Sequence, residues 1–322
     1  MVHMQAHLMR RAILVPLCLA AAFMARAEDK PTTTPKTAAE SDFVRFREDA
    51  KGAQLQTAIS TYRNPFGVTV ELIGAIHIAD KVYYDTLNQR FTKCDAVLYE
   101  MVGEDLEPGE GGLKPKAAPA DEAEAEKDAR DRMKWLHPLY DTLKNTLKLE
   151  SQIVGIDYSK DNFVHADMTA RQFAAMQNER GEGFFQMWLR SVQVQISQPD
   201  ITGNSPGLLK ILEILCRPDS PTELKRVLGR MFDKVEKLMA GMESDKGSVI
   251  VVERNKVALN VMKTEIARGL RHLGIFYGAA HLPDMEQRLL AMGYKKEKTE
   301  WLTAWDLPPE PPPLPPVKKA EK

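Results

Sequence analysis

Apolar residues alternate along this chain between strand-like and helix-like spacing. Residues 57–62 and 68–73 are short runs rich in β-branched side chains, and each run predicts a strand. The turn-forming sequence at 64–67 separates them. The pattern therefore predicts a β-hairpin near the start of the folded region.

A helix and a further strand follow this hairpin. Apolar residues recur at helical spacing over residues 80–91, and Asp80 stands where a helix cap is favoured. Residues 95–101 then form a short apolar run, which predicts a buried strand with Glu100 near its end. The order strand, helix, strand predicts a βαβ unit with polar residues at its strand ends.

The last third of the chain repeats this plan. Residues 248–269 have the apolar spacing of a long helix, and residues 272–277 predict the strand that follows it. Pro283 suits the first turn of the next helix. Residues 299–305 predict a closing strand.

Each of these two units contains a Gly-x-x-His sequence at the end of its strand. The copies run from Gly74 to His77 and from Gly278 to His281. The carboxyl end of a strand is where α/β folds place binding and catalytic groups, and imidazole is both a metal ligand and a general base. A single histidine of this kind is more often a core or turn residue. Two copies in matching contexts favour one shared site.

The predicted fold class is α/β (α+β), with a central β-sheet built from two strand–Gly-x-x-His–helix units and an inserted helical region. We assign this domain to residues 51–305. Residues 103–130 are rich in Gly, Pro, Ala and Glu and predict a mobile insertion. Residues 169–240 predict a helical cap. Between them, residues 135–147 predict a helix and residues 151–157 a strand.

Both ends of the chain lie outside the predicted domain. In residues 1–27, Arg10 and Arg11 precede an apolar run, and a small-x-small sequence follows it, which is typical of a secretory signal peptide. We therefore expect an exported protein, periplasmic or extracellular. The apolar run is shorter than the ~20 residues that span a bilayer, so we expect no membrane anchor after cleavage. Residues 28–50 predict a disordered leader and residues 306–322 a disordered Pro-rich tail.

Composition adds little to this picture. The chain has 322 residues, with 44 Lys and Arg against 45 Asp and Glu, so its near-neutral charge does not favour a nucleic-acid partner. Cys94 and Cys216 do not make a disulfide framework, and we expect Cys94 to be a buried small residue rather than half of a bridge. The sequence alone does not predict the oligomeric state.

Further polar residues extend the candidate site. Glu100 ends an apolar strand, where a carboxylate is costly to bury unless it is paired or binds a metal; the alternative is exposure to solvent. Arg254 and Asn255 lie on the predicted long helix, and Arg254 can clamp Glu100 or a substrate carboxylate. A solvated helix face is an equally good interpretation of that pair. Asp157 can orient a histidine or simply form a turn.

These residues leave three functions open. His77, Glu100 and His281 match the ligand set of catalytic zinc sites, with Glu100 as ligand or general base, and so predict metal-assisted hydrolysis. The alternatives are metal-free chemistry by histidine and glutamate, and a non-catalytic protein that binds a peptide or small ligand. We interpret His165 and Asp167 as a helix-entry segment.

The ordered set of both Gly-x-x-His motifs, Glu100 and Arg254-Asn255 resembles the TraB/GumN-like family, over roughly residues 52–305. That family includes the Tiki proteases, whose hallmark is two Gly-x-x-His motifs. The resemblance implies a metal-dependent peptidase acting on a peptide or protein substrate, with Mn²⁺ or Co²⁺ rather than Zn²⁺. It places the two histidines and Glu100 at the active centre. Gly74 and Gly278 support this centre in our prediction, because a glycine before each histidine lets the backbone pass close to a neighbour. The related erythromycin-esterase-like fold suggests the metal-free alternative by analogy. The insertion at 103–130 departs from a typical member.

Overall fold

The computed structural model describes residues 43–103, 106–109, 112–115, 136–180, 213–214, 217, 219–242 and 249–310. The predicted signal peptide, Cys216, and most of the leader, the insertion and the Pro-rich tail lie outside these residues. So does the middle of the predicted helical cap.

The described residues form an α/β fold around a seven-stranded mixed sheet. The strands are β1 (Val44–Asp49), β2 (Gly52–Arg63), β3 (Thr69–Ala75), β4 (Ile78–Ala79), β5 (Ala96–Tyr99), β6 (Leu106–Gly109), β7 (Gly112–Pro115), β8 (Glu150–Ser151), β9 (Phe163–His165), β10 (His272–Gly278) and β11 (Lys295–Leu307). The helices are α1 (Lys81–Phe91), α2 (Leu136–Leu147), α3 (Gln152–Gly155), α4 (Ala170–Arg180), α5 (Ser220–Met242), α6 (Arg254–Ala267) and α7 (Leu282–Ala291). A π-helical turn precedes α6, and a short 3₁₀ turn precedes α7.

One half of the sheet is antiparallel. Strand β2 pairs with β1 and then with β3 along one edge, and with β11 along the other edge. The predicted hairpin of β2 and β3 is therefore confirmed. Strand β1 falls inside the range that we assigned to the disordered leader, and β11 continues two residues past the predicted domain end. The folded domain thus begins by Phe43 rather than at residue 51, and it extends through Leu307 rather than ending at 305.

The other half of the sheet is parallel. Strands β3, β10, β5 and β9 are neighbours in that order, and each adjacent pair is parallel. Strand β10 comes from the last third of the chain, yet it inserts between β3 and β5 of the first βαβ unit. The two strands that carry Gly-x-x-His are therefore direct neighbours, and their carboxyl ends share one edge of the sheet.

Helices cover both faces of the sheet. Helices α1 and α5 pack on one face, against side chains that include Ile73, Phe276 and Trp305. Helices α6 and α7 pack on the other face, against side chains that include Leu72 and Leu98. Among the described residues, no helix combines the length and the apolar content needed to span a bilayer.

Helix α1 begins after Asp80, as the spacing predicts, but Asp80 does not cap it through its side chain. One carboxylate oxygen accepts the backbone N–H of Asp306 at 2.8 Å, and the other accepts the ammonium of Lys225 at 3.2 Å. This side chain therefore ties the start of α1 to the end of β11 and to α5.

The predicted strand at residues 151–157 is wrong. Its place is taken by the two-residue strand β8 and the four-residue helix α3. Ile153 and Val154 are exposed, so the apolar run does not enter the sheet. The backbone at Gly155 packs closely against Tyr84, since a Cβ on Gly155 would lie 2.4 Å from the Tyr84 ring. This contact with a distant residue helps to set the conformation of α3.

The two predicted insertions contain regular structure in the described residues. Strands β6 and β7 form an antiparallel pair within residues 103–130. Helices α4 and α5 confirm helical structure at both ends of the predicted cap.

Candidate active site

Four neighbouring parallel strands are each followed by a polar residue at the same edge of the sheet. Strand β3 is followed by His77, β10 by His281, β5 by Glu100 and β9 by Asp167. Helix α6 begins at this edge with Arg254 and Asn255. The structure thus brings both Gly-x-x-His ends together with Glu100 and the Arg-Asn pair.

The buried ring of His281 is oriented by Asn255. The Asn255 amide nitrogen donates to the His281 carbonyl at 3.0 Å and to a carboxylate oxygen of Asp284 at 2.8 Å, which turns the amide oxygen towards the ring. That oxygen lies 2.7 Å from His281 Nδ1 and can only accept, so Nδ1 donates. In the neutral ring, Nε2 therefore carries the lone pair, and it lies 3.6 Å from Glu100 Oε1.

The more exposed ring of His77 is held in the same way by Gln152. The backbone N–H of Gln152 donates to the His77 carbonyl at 2.8 Å, and its amide oxygen lies 2.9 Å from His77 Nδ1. The amide nitrogen donates to the hydroxyl of Tyr158 at 2.9 Å, which sets the orientation of the amide. His77 Nδ1 is therefore the donor, and Nε2 of the neutral ring carries the lone pair.

Buried Arg254 joins two carboxylates. Its Nε and Nη2 donate to the two oxygens of Asp167 at 2.9 and 2.5 Å, and Nη2 also donates to Glu100 Oε1 at 2.7 Å. Its Nη1 approaches His281 Nε2 at 3.5 Å. The second oxygen of Glu100 accepts the backbone N–H of Gly278 at 2.5 Å. Arg254 thus faces the site and not solvent, and a bidentate guanidinium pair of this kind is strongly oriented.

The electrostatics of the site set distinct protonation states. Burial raises the pKa of Glu100, but Arg254, the two histidines and the Gly278 N–H together hold that pKa well below its usual range. Burial lowers the pKa of His281 to about 4, although Glu100 opposes this shift. At neutral pH, Glu100 is therefore ionised, and His281 is neutral and able to accept a proton.

Gly278 lies at a point shared by three of these side chains. A Cβ on Gly278 would lie 3.1 Å from Glu100 Oε2, 3.7 Å from His281 Cδ2 and 3.9 Å from His77 Nε2. A water-sized group beside Gly278 can therefore contact all three. A methyl group at this position would crowd that space, which is a physical reason for glycine here.

The expected metal fits the donor types of this site but not their positions. Two imidazole nitrogens and a carboxylate suit a divalent ion. However, the one group of His, Cys, Asp and Glu ligand atoms within 4.8 Å of one another, among the described residues, lies elsewhere. The guanidinium of Arg254 already stands beside both Glu100 Oε1 and His281 Nε2. A divalent ion between those two atoms would face this fixed positive charge.

The other two predicted supporting residues do not line the site. Gly74 is buried in the sheet, where a Cβ would lie 3.2 Å from the Ala58 carbonyl oxygen. Asp157 is exposed and accepts the hydroxyl of Ser159 at 2.5 Å, while Lys160 lies 3.2 Å away. Its geometry is that of the turn residue that the sequence left as the alternative.

Two residues of the site were missed. The sequence places Asp167 in a helix entry, yet its buried carboxylate accepts two hydrogen bonds from Arg254. Gln152 was placed inside an apolar strand. Asp167 follows residues 163–165, which form the parallel neighbour of β5, but a run of three residues is too short to predict a strand from the sequence. No pattern in the sequence pointed to Gln152.

No protein-family model, curated protein or solved structure matches this chain.

Proposed function

We propose that this protein is an exported hydrolase that cleaves an acyl bond in a peptide or protein substrate. The observation that carries the proposal is the point beside Gly278, where His77, His281 and Glu100 converge. The peptide substrate is supported by the resemblance to the TraB/GumN-like family. Export is supported by the signal-like sequence at residues 1–27.

In this proposal, His77 is the general base. Its Nε2 carries the lone pair in the neutral ring and faces the point beside Gly278, where it can take a proton from an attacking water. The imidazolium that results is stabilised by the ionised carboxylate of Glu100. It returns the proton to the leaving amine or alkoxide as the tetrahedral intermediate collapses and the acyl bond breaks. Gln152 keeps the Nδ1 proton on the ring, because its amide oxygen accepts a hydrogen bond from Nδ1.

His281 and Arg254 complete the chemistry. His281 is neutral at pH 7, so its Nε2 can accept a hydrogen bond from the same water and orient it, while that O–H bond stays intact. Arg254 is held rigidly by Asp167 and Glu100, and it presents Nη1 beside His281. A buried and fixed guanidinium stabilises the oxyanion that forms when water attacks a carbonyl.

A Mn²⁺- or Co²⁺-dependent peptidase is the second candidate. It is supported by the donor types of His77, Glu100 and His281. It requires Arg254 to release Glu100 before the ion can bind, since the guanidinium occupies the gap beside His281. The two candidates therefore differ in whether a chelator abolishes turnover.

Turnover of peptide and ester libraries by the purified protein tests the proposal, with EDTA in one series and added Mn²⁺ or Co²⁺ in another. We expect hydrolysis that survives EDTA. His77→Ala should lower kcat by at least about 100-fold, because general-base catalysis is typically worth that much, and should leave the melting temperature unchanged. Asp157→Ala is the matched control, since this exposed carboxylate lies outside the site.

Three outcomes would contradict this reading. Full activity in His77→Ala would show that His77 is not the general base. Turnover that is lost with EDTA and restored by Mn²⁺ or Co²⁺ would favour the second candidate. Tight peptide binding by the wild-type protein, without product from any substrate, would indicate a binding protein.

A further inference from the structure

A second cluster of ligating side chains lies at the opposite, amino-terminal edge of the parallel strands. Glu71 is in β3, Cys94 precedes β5, and His272 is the first residue of β10. Each offers one ligand atom, and the three atoms lie within 4.8 Å of one another. This is the one group found at that spacing among the residues that the structure describes.

The cluster is unusually polar for its surroundings. Glu71 is buried in a strand whose other residues from Val70 to Ala75 are apolar or glycine. Cys94 is buried as well, and Gly274 leaves room for its sulfur, because a Cβ there would lie 3.2 Å from Sγ. A buried carboxylate is costly unless charges or hydrogen bonds compensate it.

His272 presents an unsatisfied nitrogen to this carboxylate. Its Nε2 is buried and forms no hydrogen bond within the described residues, although it lies only 3.3 Å from Glu71 Oε1. The backbone is held in place, because the N–H groups of Arg271 and His272 both donate to Asp95 at 2.8 Å. An unsatisfied buried nitrogen of this kind costs about 1–3 kcal/mol. A cation between the nitrogen and the carboxylate would satisfy both.

The charges around the cluster also accommodate a cation. Glu71 accepts Nε and Nη2 of Arg90 at 2.9 Å each, and Arg90 pairs in turn with Glu300. Each oxygen of Glu71 keeps a second lone pair. Glu300 also pairs with Lys298, and Asp95 lies close enough to act on Cys94. Three carboxylates, one guanidinium and one ammonium leave one net negative charge. A divalent cation together with a Cys94 thiolate would add one net positive charge, so the whole cluster would become neutral.

We propose that Glu71, Cys94 and His272 form a binding site for a thiophilic divalent cation, Zn²⁺ by preference, with water in the fourth position. Thiolate and imidazole together select Zn²⁺ over harder ions such as Mn²⁺. The site is separate from the candidate active site and independent of the proposed function. Its ligands lie in β3, at the start of β10 and just before β5, so the ion would join the amino-terminal halves of these three neighbouring strands.

Binding is accompanied by release of the Cys94 proton. Burial raises the pKa of Cys94 to about 12, so the side chain is a thiol when no cation is present. The cation replaces this proton, which passes to solvent as the metal–sulfur bond forms.

Titration of the purified, reduced protein with Co²⁺ tests the site, because a cobalt–thiolate bond gives a charge-transfer absorption that imidazole and carboxylate ligands do not. We expect this absorption to saturate at about one equivalent of Co²⁺ and to disappear when Zn²⁺ displaces it. Cys94→Ser should abolish it, whereas Cys216→Ser should keep it. The double variant His77→Ala/His281→Ala should also keep it, which separates this site from the candidate active site.

An absent charge-transfer absorption in the wild-type protein would overturn the proposal, and so would an absorption that survives Cys94→Ser. Because Cys94 is buried, its variant can fail to fold. His272→Gln provides the second test, since this ring is one-third exposed. It should weaken Co²⁺ binding by at least about tenfold. Unchanged affinity in His272→Gln would equally overturn the proposal.

Discussion

The proton on Nδ1 of each histidine is placed by a neighbouring carboxamide, Asn255 for His281 and Gln152 for His77. The same two residues also donate to the backbone carbonyls of the histidines that they orient. Each histidine is therefore held at two points, its ring Nδ1 and its backbone carbonyl, with Nε2 directed into the site. This arrangement orients the proton acceptors before a substrate arrives, which is how a rigid site lowers the cost of catalysis.

His281 should make the stability of the fold depend on pH. Its pKa falls from an ordinary 6.5 to about 4 in the folded protein, because burial penalises the charged ring. Between these two values the unfolded chain binds a proton that the folded chain does not. Stability is therefore lost as the pH falls through this window, and the loss levels off below about pH 4. A shift of this size corresponds to about 3 kcal/mol.

Urea unfolding of wild type and His281→Gln between about pH 7 and pH 4 measures this effect. The difference in unfolding free energy between the two proteins should change by about 3 kcal/mol across the window, with wild type losing more as the pH falls. Parallel curves for the two proteins would show that His281 is not buried as a neutral ring.

Gly278 and Gly74 should respond differently to the same substitution. Gly278 has φ −47° and ψ 133°, which alanine also adopts, and the added methyl would meet the end of the Glu100 side chain. Gly278→Ala should therefore fold and lose activity, by about 100-fold if the methyl displaces the attacking water. Gly74→Ala would press on backbone at Ala58 and should cost about 1–3 kcal/mol of stability.

Activity assays and thermal melts of the two glycine variants distinguish these effects. Full activity in Gly278→Ala would contradict this prediction, because it would show that the reaction does not occur in the space beside Gly278.

At the residue scale, polar residues close to the end of a clearly apolar strand could be predicted from the sequence. His77, Glu100 and His281 each lie within three residues of the end of such a strand. Asp167 follows the three-residue strand β9, which is too short to give a periodic pattern. Gln152 lies in the four-residue helix α3, whose conformation depends on contacts with His77 and Tyr84. Local sequence carries no information about such distant partners.

Among the elements, the long and strongly periodic ones agree with prediction, while the short ones depend on tertiary contacts. Strand β2, helix α1 and strand β10 were placed to within a few residues, apart from the extra length of β2. The run at 151–157 has the composition of a buried strand, yet it is excluded from the sheet because β9 takes the position beside β5. Composition alone cannot decide which of two nearby segments joins a sheet.

Helix α5 is fastened to the sheet by a buried arginine. Arg226 donates Nη1 to Glu48 of β1 and Nη2 to the carbonyl of Pro308 just after β11, both at 2.7 Å. Arg226→Ala removes both charged hydrogen bonds, so it should lower stability by about 3 kcal/mol. It should also raise amide hydrogen exchange in residues 220–232 before the strands respond.

Hydrogen exchange by mass spectrometry makes this measurement, with Arg217→Ala as the matched control. Arg217 forms an exposed pair with Asp219 at 3.0 Å, and its loss should cause no measurable change. Equal exchange in the two variants would mean that Arg226 does not fasten the helix.

At the scale of the whole molecule, the two ends of the described chain are parts of one sheet. Strand β11 pairs with β2 from Arg63 to Ala53, and β10 separates β3 from β5. Neither the first βαβ unit nor the last third of the chain can complete its sheet without the other. The sequence showed two similar units but not how they interleave, since this depends on pairing between residues about 200 positions apart, as in Ala75 with Gly278.

Removal of β11 should therefore unfold the whole molecule, rather than remove one edge strand from a sheet that stays folded. This strand buries Trp305, whose indole N–H donates to the Ile78 carbonyl at 2.8 Å beside His77. Its loss exposes one edge of β2 and removes part of the core under α1 and α5. A chain that ends at residue 294 should show no cooperative thermal transition by circular dichroism and should be digested rapidly by protease.

A chain that ends at residue 310 is the matched control. It retains all of β11 and the contact between Glu310 and Arg230, so it should melt like the full chain. A cooperative melt of the shorter chain would show that the parallel half of the sheet, with the candidate active site at its edge, is a separate folding unit.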